Sequence, residues 1–453
     1  MAQYILFAQV FLLLCLTAAR EVVDLEYARY RGIVLSNGLV QWLGIRYAAS
    51  PTGPLRFSAP QSPSVVAGIH DAFEHGPICI PTSRYPISKG TSEDCLFLDV
   101  YSPYRASNHP ELLPNSNPNH NGTGLIQASG MGIVVVTFNY RVGVEEIQQN
   151  GSMNNGLKNQ IKVLKFSKFG GNPKHVVVGG ARAGAASITL LLSAYGGRDD
   201  GLMLLLRNRK ALLPCFITCT GCASDADTLE CLRGLDTEVL QRENINTPLP
   251  NAQQVPLYLY VPVVDGDLVP NYTYRLFHSD HFIKLPVISA TTRMKAPYSF
   301  PRINLLQSTP GLSMRTKRAN FRALSLMYWR PVSTAYGEMW YICPSWNYHY
   351  AVQDPDLEEP GLGVDHTVEI NAIWGPNHVT GDTPSSYFTT NAPIVPVLQG
   401  YWTSFIKTFD PNSHRYPGSP RWNIWGNEGM EQVSEDQREH CEYLTSIRPE
   451  LQQ

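Results

Sequence analysis

The chain predicts an α/β fold, and three stretches carry that expectation. Ile133 to Asn139, IVVVTFN, is a largely apolar, β-branched run of the kind a parallel strand needs when both its faces are covered. Val176 to Gly179 is a second such run, and Leu157 to Phe166 between them has the spacing of a short helix. Beyond it, Gly180 and Gly184 frame a tight turn in VVVGGARAGAAS, and small residues suited to a helix follow. Strand, helix, strand, turn and helix are most simply wound as a right-handed parallel unit.

The flanking regions read differently. Gly32 to Leu35 and Leu39 to Tyr47 are strand-like, Pro51 to Pro63 is a loop, and Cys95 to Tyr101 is another apolar alternating segment. The C-terminal half is rich in Pro, Tyr and Trp and reads as long loops with embedded helices, such as Val395 to Phe409. No repeat or low-complexity tract interrupts the chain.

With 453 residues, 43% of them hydrophobic, the chain can bury a large core. A net charge of -2 argues against nucleic acid as a partner. Residues 1–19 read as a signal peptide: the apolar run Ile5 to Ala19 ends in small residues and is too short to span a bilayer, so no stable membrane insertion is expected. Removal of Cys15 would leave eight of nine cysteines, an even number that fits an oxidising compartment. Cys79 with Cys95 and Cys222 with Cys231 are short-range candidate pairs; Cys215, Cys219, Cys343 and Cys441 have no evident partners. Sequons at Asn121, Asn150 and Asn271 agree with a secreted, glycosylated product.

The turn at Gly180 has the frame of a nucleophile elbow, Gly-x-Ser-x-Gly, in which small neighbours let a serine sit on a strained strand-to-helix turn. Ala181 and Ala183 are suitably small, but the tip is Arg182. A guanidinium is permanently charged, only donates hydrogen bonds and cannot attack an acyl carbon.

Seven blocks place the chain in a wider context: LGIRYAASPTGPLRF (Leu43 to Phe57), TSEDCLFLDV (Thr91 to Val100), VVVTFNYRVG (Val134 to Gly143), KFGGNPKHVVVGG (Lys168 to Gly180), GCASDADTLECLRGL (Gly221 to Leu235), PVVDGDLVP (Pro262 to Pro270) and YWTSFIKTFDPN (Tyr401 to Asn412). In these blocks and their order the chain resembles the type-B carboxylesterase/lipase family, and its secreted fungal members most. The resemblance implies a single α/β-hydrolase domain over residues 20–453, with a mixed, mostly parallel sheet flanked by helices. It also implies disulfides Cys79–Cys95 and Cys222–Cys231, an ion pair between Arg56 and Glu93, and an acyl-enzyme mechanism on carboxylic esters that needs no cofactor or metal. In that mechanism a serine attacks, a histidine relays its proton, an acid orients the histidine, and backbone amides bind the oxyanion.

Carried over residue by residue, that machinery is depleted. The histidine block GVDHTVEINAIWG places His366 at the catalytic position. The acid position falls at Lys295 in LPVISATTRMKAPYSF, and a lysine cannot accept the imidazole proton. No other Gly-x-Ser-x-Gly occurs, and Ser187 falls within the helix after the elbow. Tyr101 to Pro114 contains no glycine, so the strand and glycine run that would supply oxyanion donors read as lost. The family's loop after Gly143 is missing. The helix before Phe169 is short by about one or two turns, and losing a non-integral number of turns should rotate its apolar face away from the sheet. Leu202 to Pro214, LMLLLRNRKALLP, stands where the family has a small-residue strand, and one back-translation shifted by a base restores a family-like segment.

Three functions are compatible with these residues: an inactive family member, an ester hydrolase working by another route with His366 activating water, and a binder of an organic anion held by Arg182 and Lys295. Any small-molecule partner would be an ester or organic anion.

Overall fold

The computed structural model describes residues 20–82, 85–104, 111–115, 120–143, 151–164, 169, 171–172, 174–181, 183–198, 214–245, 260–288, 291–292, 351–352, 368–380 and 383–422. Among these residues the centre is a seven-stranded sheet. The strands are β1 (Arg20–Asp24), β2 (Arg29–Val34), β3 (Leu39–Arg46), β4 (Ile69–Asp71), β7 (Phe97–Pro103), β8 (Glu111–Asn115) and β9 (Ile133–Phe138). They run in the order β1-β2-β3-β7-β9-β8, with β4 added beside β2. A separate two-stranded pair joins β5 (Ile78–Cys79) to β6 (Thr91–Ser92).

Among the described strands the sheet is mixed. β1–β2, β2–β3, β3–β7 and β7–β9 are antiparallel, while β8–β9 and β2–β4 are parallel. Short links such as residues 35–38 between β2 and β3 permit only antiparallel pairing, whereas β8 reaches β9 through the helix α1 (Thr123–Ala128). The N-terminal third is therefore a mainly antiparallel platform with β4 added in parallel, and the parallel pair β8–β9 lies beyond it.

Sequence alternation explains how the sheet is buried. Every residue of β9 is buried. Val134, Val136 and Phe138 enter one core with Val40, Trp42, Leu98 and Val100, while Ile133 and Val135 enter another with Leu39, Tyr101 and Leu125. This is the period-two division of a strand covered on both faces. Helix α1 and two later helices, α8 (Val368–Trp374) and α9 (Ile394–Thr408), supply Leu125, Ile126, Ile373, Trp374 and Ile406 to the second face. Helix α2 (Asn155–Leu164) supplies Val163 to the first. Helices on both faces of a mixed sheet give the α/β-hydrolase architecture.

Gly44 is demanded by this packing. It has φ 72° at the irregularity where β3 shifts register against β7, and a Cβ there would lie 2.5 Å from the Glu74 carbonyl oxygen. Its amide donates to Asp99 at 2.8 Å.

Two of the sequence readings of damage need correction. Glu111–Asn115 is a strand, paired in parallel with β9 through five residue pairs, so the strand before the oxyanion block is retained although it lacks glycine. The shortened helix α2 also keeps its apolar residues inside: Leu157 and Ile161, one turn apart, pack on Leu268 and Val269. Asn155, Asn159 and Gln160 are buried on the same helix, and Asn159 Nδ2 and Gln160 Nε2 have no hydrogen-bond partner among the described residues. The helix has therefore brought polar groups inward without expelling apolar ones. Val176–Gly179 forms no continuous strand among the described residues, although Val176 forms a β-bridge. Val176 packs on the first core and Val177 on the second, the period-two division expected of a strand-like run covered on both faces.

Two further helices are clamped to the platform. Cys79–Cys95 and Cys222–Cys231 are disulfides, as the resemblance implied. The second disulfide ties the turn after α4 (Pro214–Cys219) to α5 (Thr228–Gly234). Arg56, 6% exposed, donates to Glu93 at 2.7 Å and to the carbonyls of Leu232, Arg233 and Leu235 at the end of α5. The Thr237 hydroxyl, opening α6 (Thr237–Glu243), donates to the same Glu93 oxygen at 2.7 Å. One buried ion pair thus holds segments almost 180 residues apart in sequence.

Candidate active site

Arg182, Lys295 and His366, the three positions assigned to the triad by sequence, lie outside the described residues. The elements that carry two of them are described. Helix α3 (Ala183–Leu192) begins directly after Arg182, and α8 begins two residues after His366.

The elbow keeps its steric frame. A Cβ on Gly180 would come within 2.6 Å of the Gly184 carbonyl carbon, so the two glycines meet as closely as such a turn requires. The Gly184 amide donates to the Ala181 carbonyl at 2.9 Å and closes the turn around position 182. Ser187 offers no substitute nucleophile: it is 6% exposed and its hydroxyl donates back to the Ala183 carbonyl at 2.8 Å, inside α3. Apart from Thr189 the rest of α3 is apolar, yet Ser187 is its single buried residue.

The helix after His366 is held from below. A Cβ on Gly124 of α1 would lie 2.5 Å from the Trp374 carbonyl oxygen, so α1 and the end of α8 touch backbone to backbone. His120 stacks on Trp374 with ring centroids 5.0 Å apart and an interplanar angle of 18°. The Thr123 hydroxyl stands 3.2 Å from His378 Nδ1, just past α8. Burial pushes His120 down to about 4 and lowers His378 as well, so both imidazoles are neutral at physiological pH. His120 Nδ1 is buried without a partner among the described residues. Sequence reasoning missed His120: it sits inside the NHNGTGLIQ block, where only its type and not its stacking could be read.

Far from this end, Asp99 in β7 accepts from Gly44, from His75 Nδ1 at 2.8 Å and from Thr137 at 3.4 Å. This pair is a structural support of the sheet and brings no nucleophile. Among the described residues no cluster of His, Cys, Asp and Glu could hold a metal ion, and no helix is long and apolar enough to cross a membrane.

Of the sequons, Asn121 and Asn271 are described and Asn150 is not. Asn121 is exposed and Asn271 half-buried. Residues 1–19, Lys295 and most of Leu202 to Pro214 also fall outside the described residues.

Comparison with known proteins matches this architecture. The family model described as "Carboxylesterase family" matches residues 19–203, from β1 through the elbow. Secreted lipase 4 of Gibberella zeae is 24% identical over 84% of this chain and 81% of its own length. Para-nitrobenzyl esterase of Bacillus subtilis is 23% identical over 87% of this chain and 91% of its own. The crystal structure of Aspergillus niger EstA superposes with a TM-score of 0.82 at 33% identity, covering 95% of this chain and 99% of that one. The glycine-framed turn, the sheet that leads into it and these matches together make the chain a member of the carboxylesterase family.

Proposed function

We propose that this protein is a secreted carboxylesterase-family member that has lost ester hydrolysis. The observation that carries the reading is the elbow: Gly180 and Gly184 still pack as the frame requires, and the residue between them is Arg182. Lys295 at the acid position removes the group that would orient His366. Ser187, bonded into its own helix, cannot take over. Support for secretion comes from the apolar N-terminal run, the two disulfides and a relative whose name includes "secreted". A second reading rests on the same substitutions: Arg182 and Lys295 present two cations suited to an organic carboxylate.

The test is turnover of p-nitrophenyl acetate and butyrate, with labelling by a fluorophosphonate. Loss of a serine nucleophile costs on the order of a million-fold, so no turnover above buffer and no labelling are expected. Turnover that disappears in His366→Ala would replace this reading with a hydrolase of another mechanism. Saturable butyrate binding, lost in Arg182→Ala, would select the binding reading.

A further inference from the structure

The Asn121 sequon differs from its neighbours in what its side-chain amide does. Asn121 Oδ1 accepts from the Thr123 amide at 2.9 Å and from the Thr123 hydroxyl at 2.6 Å, closing a turn over Gly122. Gly122 is required there, because a Cβ would sit 2.8 Å from the Val135 side chain. The Asn121 amide donates to the His378 carbonyl at 2.9 Å, so the backbone is anchored too. With Oδ1 committed inward, Nδ2 on the same carbon is directed away; it has no acceptor among the described residues, and Asn121 is exposed. Asn154 is the opposite case: it is fully buried and its Nδ2 is consumed by Val263 O and Asp265. At Asn271, Oδ1 accepts only from the adjacent Tyr272 amide, and the residue is half-buried.

We infer that Asn121 carries an N-linked oligosaccharide, an inference that rests on the secreted reading above. The donor class is a lipid-diphosphate-linked oligosaccharide: Nδ2 forms a bond to the anomeric carbon and loses one proton, and the bond from that carbon to the diphosphate breaks. The accepted hydrogen bonds at Oδ1 survive the reaction, so the folded turn accommodates the sugar without rearrangement. The glycan stands beside the turn Gly375–Val379 that follows α8 and covers the junction of α1 with that helix.

The test expresses the full chain in yeast in two forms, one as it is and one preceded by a heterologous secretion signal. Each is treated with an amidase that removes N-glycans in heavy-oxygen water, and the Asn121 peptide is read by mass spectrometry. Heavy aspartate at 121 in both forms supports the inference. Heavy aspartate only with the added signal supports the site and overturns the secreted reading. An unmodified Asn121 in the signal-bearing form overturns the inference, whatever Asn150 and Asn271 carry. Asn121→Asp keeps the oxygen that Thr123 binds and removes Nδ2, so it should fold and lose one glycan-sized step of electrophoretic mobility; unchanged mobility overturns the assignment.

Discussion

The platform formed by β1 to β9 and the elbow region formed by residues 174–192 come from one ancestral fold, and they are built to different standards. In the platform β9 is wholly buried, Arg56 and Glu93 are paired, and a disulfide closes Cys79 on Cys95. At the elbow the backbone turn is kept, but its tip is Arg182 and the apolar helix α3 buries only Ser187. Under the proposed loss of hydrolysis, supports that act through packing would have outlasted groups that act through chemistry.

The sharpest break of this comparison is to remove one member of the clamp. Glu93→Ala leaves Arg56, 6% exposed, with its carbonyl bonds but no counter-charge. A buried charge stripped of its partner costs about 3–5 kcal/mol. Urea unfolding should shift by that amount, and a loss below about 1 kcal/mol would mean that the backbone carbonyls alone hold the guanidinium.

Next in size is a matched pair. Ile133→Ala in β9 removes a side chain that is 0% exposed, and such truncations cost about 2–5 kcal/mol. Ile188→Ala makes the same chemical change in α3, where the residue is only partly buried, and should cost about 1 kcal/mol or less. Equal losses by thermal unfolding would show that α3 is as well packed as the sheet, and the contrast drawn here would fall.

A stabilising change is expected at Asn159. Its Oδ1 accepts from the backbone amide and Nε of Arg141, at 3.2 and 3.1 Å, while its Nδ2 is buried without an acceptor. Asn159→Asp replaces the orphaned donor with oxygen and converts the contact to a charge-assisted one. A gain of about 1–2 kcal/mol in urea unfolding is expected. A loss would mean that dehydrating the new carboxylate outweighs its pairing with Arg141.

Much of the platform was legible because its signals are local. The β-branched run at 133–139 is the strand Ile133–Phe138, and Val395 to Phe409 became the helix Ile394–Thr408. Short spacing made Cys79–Cys95 and Cys222–Cys231 candidate pairs and the family blocks implied both, whereas the Arg56–Glu93 pair came from the family blocks alone. β8 was missed because ELLPN contains a proline and no alternation, and its strand form depends on pairing with β9. The run at Val176 keeps the inside-out alternation that its β-branched residues favour, with Val176 in a β-bridge, Val176 on one core and Val177 on the other. At the candidate site the identities at 182, 295 and 366 could be read directly, while the seating of α8 on Gly124 and the stacking of His120 on Trp374 depend on side chains more than 240 residues apart.

The smallest expected effect lies in the platform and depends on pH. Asp99 is nearly buried, and His75 Nδ1 approaches it at 2.8 Å while the imidazole remains 42% exposed. The hydrogen bond to Asp99 raises the His75 pKa, opposed by burial and helped further by the carboxylate charge. The folded state therefore binds this proton more tightly than the unfolded chain does. Stability from the pair is fully present below the unfolded value of about 6.5 and is lost as pH rises through the higher folded value. Wild type should melt above His75→Gln at pH 5.5, and the gap should narrow through pH 7 to 8. Solvent screens a pair this exposed, so a shift of only a few degrees is expected. A gap that widens with pH would mean that neutral His75, and not the ion pair, is what Asp99 requires.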